Sequence, residues 1–344
     1  MRTGLLLLPS RPASELVELA VQAEALGYDD LWVADERFFR EVYTVLGLAA
    51  ARTRRLRLGP GVTDPYSRHP ALTAMAIATL DEVSGGRAVL GLGAGVSGFR
   101  ELGVDTARSA VAIREAVELI RRLLAGQTVT TKGAAVSLDD GRLDFAPLRA
   151  DVPVYVASQR EAGCRVAGRV ADGAIMQGCV AGPLVRFFRE TVAEGARRAG
   201  RDPAAVGLVA RINVCIADDL RVAREVMRPT IVRSLAAQRP DFFTFRTAGL
   251  ELPPALREQV LRLPYTHDPA PLTRLAPLVP DAFVDAVTLA GPPAAVADGV
   301  TRLARDGIGQ LMVYPLGPAG RIGATLERFQ TEVMPLVRRE LKRS

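Results

Sequence analysis

Residues 55–95 read RLRLGPGVTDPYSRHPALTAMAIATLDEVSGGRAVLGLGAG, and the fold follows from this stretch. Two short apolar runs, Leu56 to Val62 and Ala88 to Leu92, flank a segment from Ala71 to Val83. The runs are short and rich in Leu, Val and Gly, which suits buried strands. Between them, Leu72, Met75, Ile77, Leu80 and Val83 fall at helical spacings. The spacing therefore predicts strand, loop, helix, strand: a βαβ unit with parallel strands. Each strand runs into a loop of special backbone chemistry, Gly59-Pro60-Gly61 with Asp64-Pro65-Tyr66 after the first, and Gly91, Gly93 and Gly95 after the second. Ligands of parallel α/β proteins bind outside the carboxyl ends of the strands, where these glycines lie.

The same alternation extends outward in both directions. Upstream, Thr3–Leu8 reads as a strand, followed by a helix that Ser14 is expected to cap and Gly27 to end. Asp30–Ala34 is the second strand, ending in Asp35-Glu36-Arg37, and a helix is expected from about Tyr43 to Arg52. Downstream, 106–125 has an amphipathic helical pattern, while 127–146 breaks the rhythm and reads as a hairpin. Strands are expected at Val152–Ala157, Gly173–Met176, Val206–Ile216 and Gln310–Tyr314, with helices between them and a terminal helix from Ile322 to Leu341. Eight strands interleaved with helices over 344 residues point to a single α/β domain, a (β/α)8 TIM barrel spanning 1–344, with insertions around 127–150 and 239–283. An open doubly wound sheet is the structural competitor.

Composition narrows the chemistry. With 49% hydrophobic residues the chain has ample core, and no apolar run approaches the ~20 residues of a membrane span. The net charge of +6 is spread among alternating Arg and acidic residues, which reads as solvated helix faces and gives no nucleic-acid patch. Cys164, Cys179 and Cys215 have no paired spacing, which suits a reduced, cytoplasmic setting. Lysine occurs only at Lys132 and Lys342, neither at a strand end, so Schiff-base chemistry is not expected. Two histidines, His69 and His267, are too few for a His-rich metal site, and no metal is expected.

The run Leu58 to Pro70, the segment Ala78-Thr79-Leu80-Asp81-Glu82-Val83-Ser84-Gly85-Gly86-Arg87 and Leu90-Gly91-Leu92-Gly93-Ala94-Gly95 together resemble the bacterial luciferase-like monooxygenase superfamily. The subgroup most similar is that of F420-dependent methylenetetrahydromethanopterin reductase. Trp32-Val33-Ala34-Asp35, Ala171-Asp172-Gly173 and Leu289-Ala290-Gly291-Pro292 also match family habits. The resemblance implies a luciferase-like barrel that binds coenzyme F420, with FMN as the alternative, and transfers a hydride to or from a small organic substrate. An FMN-dependent monooxygenase, or a flavin-binding barrel without turnover, is the competing reading. One departure stands out: Leu6 occupies the place where methanopterin reductases carry an acid, which argues against that substrate.

The resemblance also implies site residues. A non-prolyl cis peptide that backs the ring falls at Gly61-Val62, next to Thr63, although Gly-Pro-Gly could equally just end a strand. Gly93, Ala94 and Gly95 are expected near the ring or its ribityl chain, and Asp35 in coenzyme contact. The coenzyme's phosphate tail is assigned to the loops Ala157-Ser158-Gln159 and Gln177-Gly178-Cys179, with Ser158 open to a second reading as a helix cap. Glu36 is the candidate proton donor, and His69 is either a second catalytic group or a structural hydrogen-bonding residue before Pro70. Helices near 43–53 and 70–83 are apolar on more than one face, which leads to the expectation of a homodimer.

Overall fold

The structure is a computed structural model that describes residues 1–343. Its sheet topology is that of a (β/α)8 barrel: eight parallel strands, nearly closed, with one additional strand. Two compact units make up the chain.

The first unit comprises Arg2–Ile175 and Glu190–Val209. Its parallel strands are β1 (Arg2–Leu7), β2 (Asp30–Val33), β3 (Arg57–Pro60) and β4 (Leu90–Gly93). A small antiparallel hairpin, β5 (Val129–Lys132) and β6 (Ser137–Gly141), stands apart from the sheet and is followed by β7 (Val154–Ala157) and β8 (Gly173–Gln177). Leu6 pairs with Trp32, Trp32 with Gly59, and Gly93 with Ala157. β3 and β4 are joined through the bridges Leu58↔Ala88 and Thr63↔Leu92. A Cβ at Gly91 would overlap the Pro60 carbonyl, so this close approach requires glycine. β2 and β4 are buried at every position, as expected of parallel strands covered on both faces.

The covering layer of the first unit is α1 (Ala13–Ala25), α2 (Val42–Arg52), α3 (Pro70–Ser84), the short α4 (Phe99–Leu102), α5 (Ser109–Leu124) and α6 (Glu161–Val170). Apart from α4, each of these packs on the next. α3 buries Thr73, Ala74, Ile77, Ala78, Leu80, Asp81 and Ser84 and stops at Gly85, whose φ of 67° is left-handed. Ser14 does not cap α1; it lies inside the helix, whose N-cap is Pro12. The helix read at 106–125 begins only at Ser109, after Arg108 at φ 56°.

The second unit comprises Met176–Arg189 and the chain from Ala210 onward. α7 (Gly182–Arg198) begins in it, and β9 (Gly207–Ile216) completes itself there, followed by α8 (Leu220–Ala237). The stretch 239–283 is not structureless: it folds as α9 (Phe243–Thr247), α10 (Pro254–Arg262), α11 (Pro269–Leu275) and the start of α12 (Asp281–Val287). β10 (Thr288–Gly291), a stretch not read as a strand from the sequence, pairs in parallel with β9 from Thr288↔Asn213 to Gly291↔Ile216. α13 (Pro293–Arg305), β11 (Gln310–Leu316), α14 (Ile322–Arg328) and α15 (Met334–Arg343) complete the unit, with a π-helical turn at Phe329–Val333. Among the described residues no helix is long and apolar enough to cross a membrane, and no three His, Cys, Asp or Glu side chains group as a metal site.

Candidate functional site

The glycine-rich strand ends of the first unit meet around one half-buried arginine. Arg37, in the loop after β2, makes ion pairs with Asp35 and Asp64 and donates through Nη1 to the Asp35 carbonyl. Its guanidinium lies 5.3 Å from the centre of the Phe99 ring, at the start of α4. A Cβ on Gly98 would collide with the Arg37 side chain. One side chain thus ties together the loops after β2, β3 and β4. Burial lowers the guanidinium's affinity for its proton, while Asp35 and Glu36 work the other way. Arg37 Nε is buried with no hydrogen-bond partner among the described residues.

Asp64 is the second fixed point. Its carboxylate accepts the N–H groups of Tyr66 and Ser67, each at 2.8 Å, and the Ser67 hydroxyl at 2.9 Å. This is an Asx turn, the local structure that Asp-Pro-Tyr-Ser favours. Asp35 accepts a hydrogen bond from Thr63 Oγ1 at 2.6 Å, which links the β2 and β3 loops again. Glu36, half-buried, is adjacent to Asp35.

The Gly61-Val62 peptide is cis, at the position the resemblance implies. A Cβ at Gly61 would come within 2.8 Å of Trp32 Cβ and 3.1 Å of Leu6 Cδ1, so the bulge rests directly on the barrel interior. A Cβ at Gly93 would stand 2.7 Å from Val62 Cγ2, and Gly95 has a φ of 66° with Phe99 against it. Ala94 and Ala157 add only methyl groups to these strand ends. The residues after β3, β4 and β7 therefore present mostly backbone.

Beyond Ala157, the Ser158 N–H binds the Ile175 carbonyl at 3.0 Å, and Ser158 Oγ accepts from the Arg160 N–H at 3.0 Å. Ser158 closes a turn before α6 and does not cap it; the N-cap is Arg160, without a side-chain cap bond. Gln159 is half-buried beside it. In the second unit, Gln177 ends β8 and Gly178 follows at φ 68°, its N–H bound to the Arg211 carbonyl at 2.9 Å. The Cys179 thiol is fully buried.

His69 has the structural role of the two open to it. Its Nδ1 accepts the Ala71 N–H at 3.1 Å as the N-cap of α3, so Nε2 carries the proton and donates to the Ser137 carbonyl at 2.9 Å. Both ring nitrogens are committed to backbone groups, which leaves none to relay a proton. Arg37, Asp64 and Phe99 were not among the candidates from sequence. The Asp-Pro-x-Ser turn was a usable signal for Asp64; nothing local announces that Arg37 reaches it.

At the other end of these strands a separate polar layer closes the barrel interior of the first unit. Asp30, fully buried, accepts from Arg57 Nε at 2.5 Å and Arg2 Nη2 at 3.4 Å. Burial pushes this carboxyl up, against the pull of the two arginines. The Trp32 and Tyr155 rings meet edge to face, 5.6 Å apart, above it. This layer lies at the amino ends of β1, β2 and β3, opposite the loops around Arg37.

Comparisons with known proteins agree on the ancestry of this arrangement. The chain is 30% identical to 5,10-methylenetetrahydromethanopterin reductase of Archaeoglobus fulgidus over 337 residues, covering 97% of this chain and 99% of that protein. It is 29% identical to the F420-dependent glucose-6-phosphate dehydrogenase of Kineococcus radiotolerans over 343 residues, covering 94% of this chain and 93% of that one. The solved structure of coenzyme F420-dependent tetrahydromethanopterin reductase from Methanopyrus kandleri superposes with a TM-score of 0.85 at 28% identity, covering 97% and 98% of the two chains. The profile of the luciferase-like monooxygenase family matches residues 1–310, and the chain belongs to that family.

Proposed function

We propose that the protein is an F420-dependent oxidoreductase that transfers a hydride between the deazaflavin and a small organic substrate. The observation that carries this reading is the full-length similarity to enzymes whose names specify F420. The residues present fit a flat heterocycle: Gly61, Ala94, Gly95 and Ala157 leave backbone open to approach, and the buried Arg37 Nε is a spare donor. When bound, the coenzyme supplies a two-electron hydride carrier of low reactivity towards oxygen.

The chain supplies orientation and protons. Within the first unit, Gly61-Val62 and Gly93–Gly95 would hold the ring, Thr63 with Asp35 would contact its polar edge, and the loop at Ala157–Gln159 would hold the phosphate tail. Arg37 fixes three of the loops, so the positions of these groups do not depend on the ligand. The Glu36 carboxyl, next to Asp35 in the chain, would hold the proton that balances hydride transfer to a carbonyl or imine.

A second copy of the chain is proposed as partner. Leu72, Met75 and Val83 on α3 and Leu48 on α2 are 49%, 45%, 54% and 48% exposed, large apolar side chains on two helices that pack on each other. Such side chains call for a cover, and an isologous contact between two α2–α3 pairs supplies one.

The deciding measurement is equilibrium binding of F420 and of FMN to the purified chain, each followed by its own absorbance. Tight F420 binding with weak FMN binding, and reoxidation of reduced F420 by an added carbonyl or imine compound, is the expected result. Tight FMN binding with no affinity for F420 overturns the assignment in favour of a flavin-dependent reaction.

A further inference from the structure

The loops after β2 and β4 turn apolar side chains to solvent at the carboxyl ends of the first unit's strands. Phe38, in the loop after β2, is 74% exposed, the highest value of any large apolar side chain among the described residues. Its backbone is left-handed, with φ 66°, a conformation that a bulky side chain rarely adopts. Val96 and Leu102, on the segment after β4, are exposed as well. The two loops touch: a Cβ on Gly98, which lies between Val96 and Leu102 in the chain, would stand 3.3 Å from Phe38 Cε2.

The chain is anchored on both sides of Phe38, so its ring is held outward. Arg37 is fixed by Asp35 and Asp64. Arg40 Nη1 donates to the Pro9 and Ser10 carbonyls at 3.3 and 3.1 Å, and the Phe39 N–H binds the Glu36 carbonyl at 3.3 Å. A backbone in a sparsely populated region persists where its surroundings over-determine it, and such outliers gather at ligand clamps. The exposed ring does not serve the fold, because its burial is forgone while its backbone is unfavourable.

Neighbouring charges are engaged with one another. Beyond Arg37, Glu41 pairs with Arg68 and Arg100 with Glu101, so an ionic partner is not what these loops select. The three apolar side chains expose on the order of a few hundred Å², against the roughly 800 Å² that each partner of a stable protein–protein contact buries. That area suits a single alkyl chain or aryl ring. The surface also adjoins the candidate site. Phe38 follows Arg37 in the chain, and Phe99, whose ring receives the Arg37 guanidinium, lies between Val96 and Leu102.

We propose that Phe38, with Val96 and Leu102, binds an uncharged apolar group of the substrate, an alkyl chain or aryl ring attached to the carbonyl or imine carbon that reacts at the strand ends. The proposal rests on the F420-dependent reading for its reaction, but the recognition itself is measurable without the coenzyme. Each methylene that leaves water against these side chains strengthens binding by a similar factor, about three- to four-fold.

The test uses the neutral ketones 2-butanone, 2-hexanone and 2-octanone, with octanoate as a charged control. Their binding to the full chain is followed by saturation-transfer NMR with and without F420, and turnover by reoxidation of reduced F420. The expected result is affinity that rises about three- to four-fold per methylene, with 2-octanone bound more tightly than octanoate. Phe38→Asn, a polar residue that tolerates the left-handed conformation, should flatten the rise to less than about two-fold per methylene with an unchanged circular dichroism spectrum. Val96→Ser should flatten it by a smaller factor and decides the matter if Phe38→Asn does not fold. Length-dependent binding without F420 turnover upholds the apolar surface and sinks the coenzyme reading. Turnover with a KM indifferent to chain length does the reverse. The proposal is also overturned if octanoate binds as tightly as 2-octanone, or if both variants keep the full rise. Loss of self-association in Phe38→Asn by analytical ultracentrifugation, or of binding to phosphatidylcholine vesicles, would give the surface to a second copy or a membrane and overturn it too.

Discussion

Replacing Arg37 by Met removes the charge that three strand-end loops share while keeping a chain of similar length. The Arg37 side chain is 10% exposed and Asp64 only 1%, so the pair is one of the best-shielded ion pairs in the first unit. Removing one partner of a buried pair costs about 3–5 kcal/mol, chiefly because the remaining charge is left uncompensated. Asp64 retains the hydrogen bonds from Tyr66, Ser67 and the Ser67 hydroxyl, which soften that penalty. The lower end applies, about 3 kcal/mol, the range expected when a charged group keeps part of its hydrogen-bonding shell. Chemical denaturation of Arg37→Met, Asp64→Asn and the double variant tests it. The double variant should be destabilised by clearly less than the sum of the singles, because the neutral amide no longer needs a cation. Coenzyme affinity should fall in Arg37→Met as the loops lose their common anchor. A loss below about 1 kcal/mol, or strict additivity in the cycle, would refute the view that this arginine organises the site.

Three further outcomes are expected. Glu36→Gln should lower kcat by about 10²–10⁴-fold with little change in coenzyme binding, the effect of removing a general acid; an unchanged kcat assigns the proton to another group. Glu24 accepts the N–H groups of Arg54, Arg55 and Leu56; burial acts to raise its carboxyl, but these bonds and the Arg55 charge hold it below the usual range. Its folded pKa is depressed, so its stabilisation is present above the unfolded value and fades as pH falls through the folded one. Glu24→Gln should therefore be less stable than the parent at pH 7 by about 1 kcal/mol, with the two converging as pH falls through the depressed folded pKa in denaturation curves; a pH-independent gap would contradict this. Leu72→Asp with Met75→Lys should convert a dimer to a monomer in analytical ultracentrifugation while leaving the circular dichroism spectrum intact, and a parent chain that is already monomeric disposes of the proposed interface.

What the sequence disclosed, and what it withheld, follows from the range of the interactions concerned. Strands buried on both faces, such as Leu90–Gly93, announce themselves by composition, and helices of α5's length show their apolar stripe within a single window. α9, α10 and α11 run only five, nine and seven residues and are bounded by turns and prolines, so they cannot display a helical period, and 239–283 reads as formless. β10 is four residues long and owes its pairing to β9, far back in the chain. The site divides the same way. The glycines at Gly61, Gly93 and Gly95 were legible because a missing side chain at a strand end is a local fact with a spatial meaning. The Asp64 turn was legible in principle for the same reason. Arg37 was not: its role depends on Asp64 and Phe99 arriving from two later loops, and alternating Arg and acid elsewhere in the chain mostly decorates exposed helices. His69 shows the converse case. A histidine before a helix, near a glycine-rich loop, invites a catalytic reading, but its second nitrogen belongs to Ser137 on the β5–β6 hairpin, a partner supplied by an insertion with no motif of its own. Residues that fix loops by long-range charge are therefore the part of such a site that structure adds to sequence.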